Sequence, residues 1–126
     1  MKLHADKPEV QSITAYGAGW VAVDGVRHSA SLVLSASGAL EPWACERFDA
    51  LTPAHFEHLL SLGADAPELV VFGSGERLRF VRPALLQSLI ARHIGVETMD
   101  TAAACRTYNI LAAEGRRVVA ALLIEP

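Results

Sequence analysis

Apolar and polar positions change rhythm twice along this chain. From Ser12 to Ser35, "SITAYGAGWVAVDGVRHSASLVLS", short apolar runs are cut by Gly17, Gly19 and the Asp24-Gly25 pair. Runs of this length predict strands, and Asp-Gly between two of them signals a hairpin, because both residues tolerate the positive φ that a two-residue loop needs. "ASGALEPWACERFDA" then breaks the rhythm with Gly38 and Pro42. It predicts a loop with a short strand near Trp43, whose ring is expected to pack rather than bind.

At "LTPAHFEHLLSLG" the period becomes helical, with Thr52 as N-cap, Pro53 at the first helical position and Gly63 just past the end. Leu51 and Phe56 have the spacing of a hydrophobic staple. Phe56, Leu59 and Leu60 form the inward face, which turns His55 and His58 toward solvent or a neighbouring helix. A metal site there would need a third ligand, and none is suggested.

"ELVVFGSGERLRFVRPALLQSLIARHIGVETMD" predicts strand, glycine loop, a helix opening at Pro83, and a second strand, together a βαβ unit. "TAAACRTYNILAAEG" predicts the last helix, stopped by Gly115, and the apolar run "VVAALLI" from Val118 to Ile124 predicts a buried strand. That run is far short of the roughly 20 residues a membrane-spanning helix needs. No repeat or linker divides the chain, so residues 1–126 are expected to form one domain.

Composition narrows the function classes. The 126 residues are 52% hydrophobic and 20% charged, as in a globular protein with little disorder. Eleven basic against 14 acidic residues leave no electrostatic footprint for nucleic acid; Arg77, Arg79 and Arg82 form the densest basic cluster, and it is short. Cys45 and Cys105 belong to no CxxC or CxxH pattern, which favours two free thiols in a reducing compartment over zinc or redox chemistry. The opening "MKLHADKPEV" holds charges and a proline where an export signal needs an apolar core, so a cytoplasmic location is expected.

Three chemistries compete. "FGSGER" invites a dinucleotide reading, with Glu97 downstream where a ribose-binding acid would sit, but Leu78 occupies the third glycine position and the helix opens only at Pro83. No cofactor is therefore expected, and the glycines are read as serving a tight turn, with positive φ at Gly73 or Gly75. Cys105 is the second candidate. It lies at the edge of an arc formed by Ala104, Tyr108, Leu111 and Ala112, with Asn109 and Arg106 further round, and no histidine close in sequence to act as base. Packing is the expected role, with Asn109 holding backbone groups of a neighbouring loop and Arg106 free for an acidic ligand. The third candidate is a pocket at the carboxyl ends of the two parallel strands, built from Gly73, Ser74, Gly75, Arg77, Asp100, Cys105, Arg106 and Asn109.

The stretches "VVFGSGERLRF" and "LLQSLIARHIGVETMDTAAACRTYNILAAEGRRVVAALL" resemble the Mth938 domain-containing family, which includes mitochondrial respiratory complex I assembly factor 3 and the adipogenesis-associated Mth938 domain-containing protein. The matching positions are Gly73-Ser74-Gly75, Val96, Glu97, Thr101, Asn109, Glu114, Gly115 and Arg116. The resemblance implies a three-layer α/β fold with a central mixed sheet of about five strands, flanking helices, an N-terminal hairpin region and a last strand antiparallel to the others. It also implies an adaptor or assembly factor with a protein partner, in a family without a settled enzymatic activity; the charge balance and the short apolar runs speak against nucleic-acid binding and membrane insertion. A small enzyme or ligand-binding domain using the pocket between the glycine loop and the last helix is the alternative.

Overall fold

A computed structural model describes residues 10–63 and 65–126; the opening segment, read above for the absence of an export signal, lies largely outside them. Strands β1 (Ile13–Gly17), β2 (Trp20–Val23) and β3 (Val26–His28) form a small antiparallel sheet. Asp24 (φ 47°) and Gly25 (φ 85°) make the β2–β3 turn, both in the left-handed region as the hairpin signal requires. Five further strands, β4 (Leu32–Ser35), β5 (Leu40–Pro42), β6 (Leu69–Gly73), β7 (Gly95–Met99) and β8 (Val118–Leu122), form the main sheet in the order β5-β4-β8-β6-β7.

One expectation drawn from the resemblance needs correction. β8 is not antiparallel to all the others: it runs parallel to β6 and antiparallel only to β4. The chain rises along β6, returns by a helix, rises along β7, returns by the last helix and rises again, so two successive crossovers leave β8 parallel to β6. The sheet is mixed because β4, from the N-terminal half, joins β8 from the other side.

The central place of β8 explains why it has no alternation of apolar and polar residues. Val118, Ala120 and Leu122 face one core and Val119, Ala121 and Leu123 the other. A strand covered on both faces reads as a continuous apolar run. On one side the sheet is covered by the small sheet and helix α3 (Thr101–Ala113), with Tyr108 as the largest buried side chain; on the other by helices α1 (Pro53–Glu57) and α2 (Gln87–Ala91). α2 begins as a 3-10 turn over Pro83–Leu86, so the helix predicted from Pro83 is regular only in its second half. On the α1 side, Trp43 meets Phe56 and Phe72 edge to face at centroid distances of 5.7 and 6.0 Å, and its indole N–H donates to the His55 carbonyl.

His55 in α1 and His58 just after it are tied down. The Thr52 N–H donates to His55 Nδ1 (2.9 Å), closing a capping box with histidine in place of the usual Glu or Gln. That bond places the ring proton on Nε2, which donates to the Ala44 carbonyl at 2.8 Å. His58 instead meets Glu41 at 2.6 Å. Among the described residues no three His, Cys, Asp or Glu side chains gather where they could hold a metal ion.

Helix α3 also docks the small sheet. Asn109 accepts from the Ile13 N–H (2.8 Å) and donates to the Ile13 carbonyl (2.7 Å), doing for β1 what another strand would do; the Tyr108 hydroxyl donates to the Gln11 carbonyl at 2.7 Å. The expected role of Asn109 holds in kind, but its partner is a strand and not the adjoining loop.

Candidate functional site

β6 and β7 are parallel and in register, pairing Leu69 with Gly95 through Gly73 with Met99, so the loops that follow leave the same end of the sheet. In open α/β sheets that end is where ligands bind. Here the loops bind each other. The Ser74 N–H donates to the Met99 carbonyl (2.8 Å), and Gly75 joins Thr101 twice: Thr101 N–H to the Gly75 carbonyl (2.8 Å) and Gly75 N–H to Thr101 Oγ1 (2.9 Å). Thr101 Oγ1 in turn donates to the Leu123 carbonyl at 2.8 Å. One hydroxyl thus ties the glycine loop, the start of α3 and the chain after β8.

The two glycines serve different needs. Gly75 has φ 106°, a conformation that side chains strain to adopt. Gly73 has ordinary φ, but a Cβ there would lie 2.9 Å from the Thr101 Cα and 3.1 Å from the Ala104 Cβ. Close approach of α3 to the sheet requires its bare backbone. Between them Ser74 is fully buried; its hydroxyl donates to the Arg77 carbonyl (2.7 Å) and accepts from the Arg79 N–H (2.9 Å).

Arg79 closes the assembly. Its guanidinium donates to the Ser74 carbonyl and to Glu125 (2.6 Å) and lies over the Phe48 ring at 4.7 Å. Burial pushes the Glu125 carboxyl up, but the N–H bond from Phe48 (2.8 Å) and the Arg79 charge more than offset it and leave the group below its ordinary value. A dinucleotide would need the loop and helix N–H groups that Gly75 and Thr101 already use on each other, and Glu97 lies in the middle of edge strand β7, two positions before Met99 at the rim.

The eight residues named from the sequence separate into four situations. Gly73, Ser74 and Gly75 meet the start of α3, where Asp100 caps the helix by accepting from the Ala103 N–H at 2.9 Å. Arg77 points away, its side chain exposed. Arg106 donates to the Tyr16 hydroxyl at 2.8 Å and lies 5.9 Å from that ring's centre. Cys105 and Asn109 face the core and β1. The open space at this end, a cavity of about 500 Å³, lies beside the clamp between the β1–β2 turn and the rim. Only Gly75 and Asp100 of the named residues line it, with Tyr16, Trp20, Thr101 and Ile124 prominent among the rest. Thr101, Arg79, Glu125, Tyr16 and Trp20 were not named as site residues; Thr101 was marked only as a position matching the family pattern, and the others meet the rim only through long-range folding.

Cys105 is 0% exposed. Burial pushes its thiol up to about 12. At neutral pH it should resist iodoacetamide for as long as the protein stays folded and label as fast as a free cysteine in denaturant; rapid native labelling traced to Cys105 by peptide mapping would show a reactive thiol. Because the folded thiol holds its proton to higher pH than the unfolded one, stability should fall as pH rises from about 9 toward 12. In Cys105→Ala that alkaline decline should be shallower.

A three-layer α/β domain whose ligand-binding end is closed by its own loops is the class these features define. Residues 13–123 match the family described as protein of unknown function DUF498/DUF598, and the chain belongs to it. An uncharacterised protein of Rhodobacter capsulatus is 35% identical over 116 residues, 90% of this chain and 85% of that one. NADH dehydrogenase (ubiquinone) 1 alpha subcomplex assembly factor 3 of Bos taurus is 31% identical over 124 residues, 98% of this chain but 66% of that protein, so this chain spans just under two thirds of its length. The solution structure of a Bordetella pertussis Mth938-like domain superposes with a TM-score of 0.81 at 36% identity, covering 99% of this chain and 93% of that one. The chain is thus a Mth938-like protein related to the assembly-factor branch of its family.

Proposed function

We propose that this protein works in the cytoplasm without catalysis, as an adaptor that binds another protein in the manner of an assembly factor. The observation that carries this reading is the closed rim. Ser74, Thr101, Arg79 and Glu125, polar side chains at the end of the sheet where an α/β enzyme would hold its substrate, are each engaged with backbone or with one another. Kinship with a protein named as an assembly factor supports it. Affinity purification at native expression level, followed by native mass spectrometry, tests it: a stoichiometric complex with one protein is expected. Recovery of a chain carrying only a small molecule would overturn it and favour the second reading, a ligand in the 500 Å³ cavity between Tyr16, Trp20 and Thr101.

A further inference from the structure

The loop between the glycine turn and the helix, Glu76 to Arg82, takes part in the closed rim only through Arg77 and Arg79, and its side chains alternate in direction. Arg79 points inward and is held by Ser74, Glu125 and the Phe48 ring. The residues on either side point outward, Leu78 at 50% and Phe80 at 70% exposure, Phe80 being the most exposed large apolar side chain of the described residues. Such alternation is that of an extended segment, in which one inward anchor sets its two neighbours outward. The Ser74 hydroxyl bridges the Arg77 carbonyl and the Arg79 N–H, so the backbone at Leu78, up to the residue before Phe80, is held by a fully buried group. Arg77 and Arg82, exposed at the two ends of the loop, form no ion pair among the described residues.

We propose that this loop is the docking knob of the adaptor: Leu78 and Phe80 enter an apolar groove on a partner protein, and acidic residues on the groove's rim meet Arg77 and Arg82. The proposal rests on the adaptor reading and names its surface. The order of the parts explains the glycine loop, which forms the pedestal of the knob and not a phosphate cradle. A side chain held outward in advance loses little freedom on binding, and exposed Phe and Arg are residue types enriched where partners meet. Charge argues for an acidic groove, because two exposed arginines flank Leu78 and Phe80 without an ion pair among the described residues. The same loop of a second copy could meet them only with its own Glu76, the one exposed carboxylate of the loop, and that copy is the competing occupant that the test separates. A membrane surface is the weaker fit, because polybasic lipid-binding segments carry roughly four to eight Lys or Arg and this chain as a whole has a net charge of −3.

The test places a photo-crosslinking side chain, Phe80→benzoylphenylalanine, in the full chain expressed in its own cells, with Val26→benzoylphenylalanine on the far sheet as comparison. One protein crosslinked from position 80 and not from 26, through an apolar segment flanked by Asp or Glu, is the expected result. With that protein purified, Phe80→Ser should weaken binding at least tenfold and R77E/R82E at least as much at low salt, while Val26→Ser leaves it unchanged. All these sites are exposed, so an unchanged thermal midpoint is expected and separates lost contact from lost fold. Crosslinking from position 26 alone, or affinity indifferent to Phe80→Ser, overturns the knob and leaves the adaptor reading standing; no protein crosslinked from either position and none co-purified overturns both. Phe80-dependent sedimentation with phosphatidylglycerol vesicles, or a Phe80-dependent dimer of the purified chain, would overturn the protein groove in favour of those surfaces.

Discussion

Gly73→Val is expected to lower the thermal midpoint by roughly 10 °C or more, the scale of about 3 kcal/mol lost to overpacking in a domain of this size. Even the first added carbon meets the Thr101 Cα at 2.9 Å and the Ala104 Cβ at 3.1 Å. Both atoms belong to the first turn of α3, so no side chain can swing aside and the helix itself must shift. A shift there stretches the Gly75–Thr101 pair and the Thr101–Leu123 bond together. Gly75→Val should also destabilise, by strain at φ 106° and by contact with Arg79 and Glu125, and it should loosen the 76–82 loop more than the sheet. Differential scanning calorimetry of the two variants decides. A Gly73→Val protein melting within a degree or two of the parent would mean that α3 does not need this approach to the sheet.

Asn109→Ala should release the small sheet from the rest of the molecule. The side chain bonds both the N–H and the carbonyl of Ile13, a buried residue at the start of β1, and truncation leaves two backbone groups unpaired at a cost of about 2–4 kcal/mol. Three short strands cannot hold a core alone, so the loss should appear as local opening. Hydrogen exchange is expected to speed up from Ile13 to His28 while β6 and β8 keep their protection. Asn109→Asp retains the acceptor for the Ile13 N–H but sets a second oxygen against the Ile13 carbonyl, so it should loosen the small sheet as well. Uniform acceleration across both sheets would mean that the small sheet is no separate unit and that Asn109 supports the fold as a whole.

How much of this was legible varies with the range of the interaction. The α3 arc of Ala104, Tyr108, Leu111 and Ala112, the Thr52-Pro53 helix start and the Asp24-Gly25 turn all follow from neighbours a few residues apart, and the structure reproduces them. The glycine loop was half legible. A turn was visible, but the two glycines looked alike, whereas Gly75 meets a demand of backbone angle and Gly73 one of space left by a helix some thirty residues further on. Arg106 looked free because Tyr16, its partner, lies on the opposite half of the chain. Arg79 stood out only as part of a short basic cluster and its pairing with Glu125 carried no signal, since a charge pair 46 residues apart has no period and no motif.

By itself the sequence determined the elements, their caps and the buried faces, because helix and strand periods and turn chemistry act over a few residues and each position answers only to its neighbours. The direction of β8 was not among these: the resemblance implied an antiparallel last strand, whereas β8 runs parallel to β6. Only the tertiary structure decided that β8 lies between β4 and β6, that Asn109 completes the edge of β1, and that the sheet end is closed by Thr101 and the Arg79–Glu125 pair while Phe80 stands outside it. These outcomes depend on which surfaces meet once the chain has collapsed. They are settled by packing volume and by the need of every buried polar group for a partner, conditions that span the whole chain and leave no local mark.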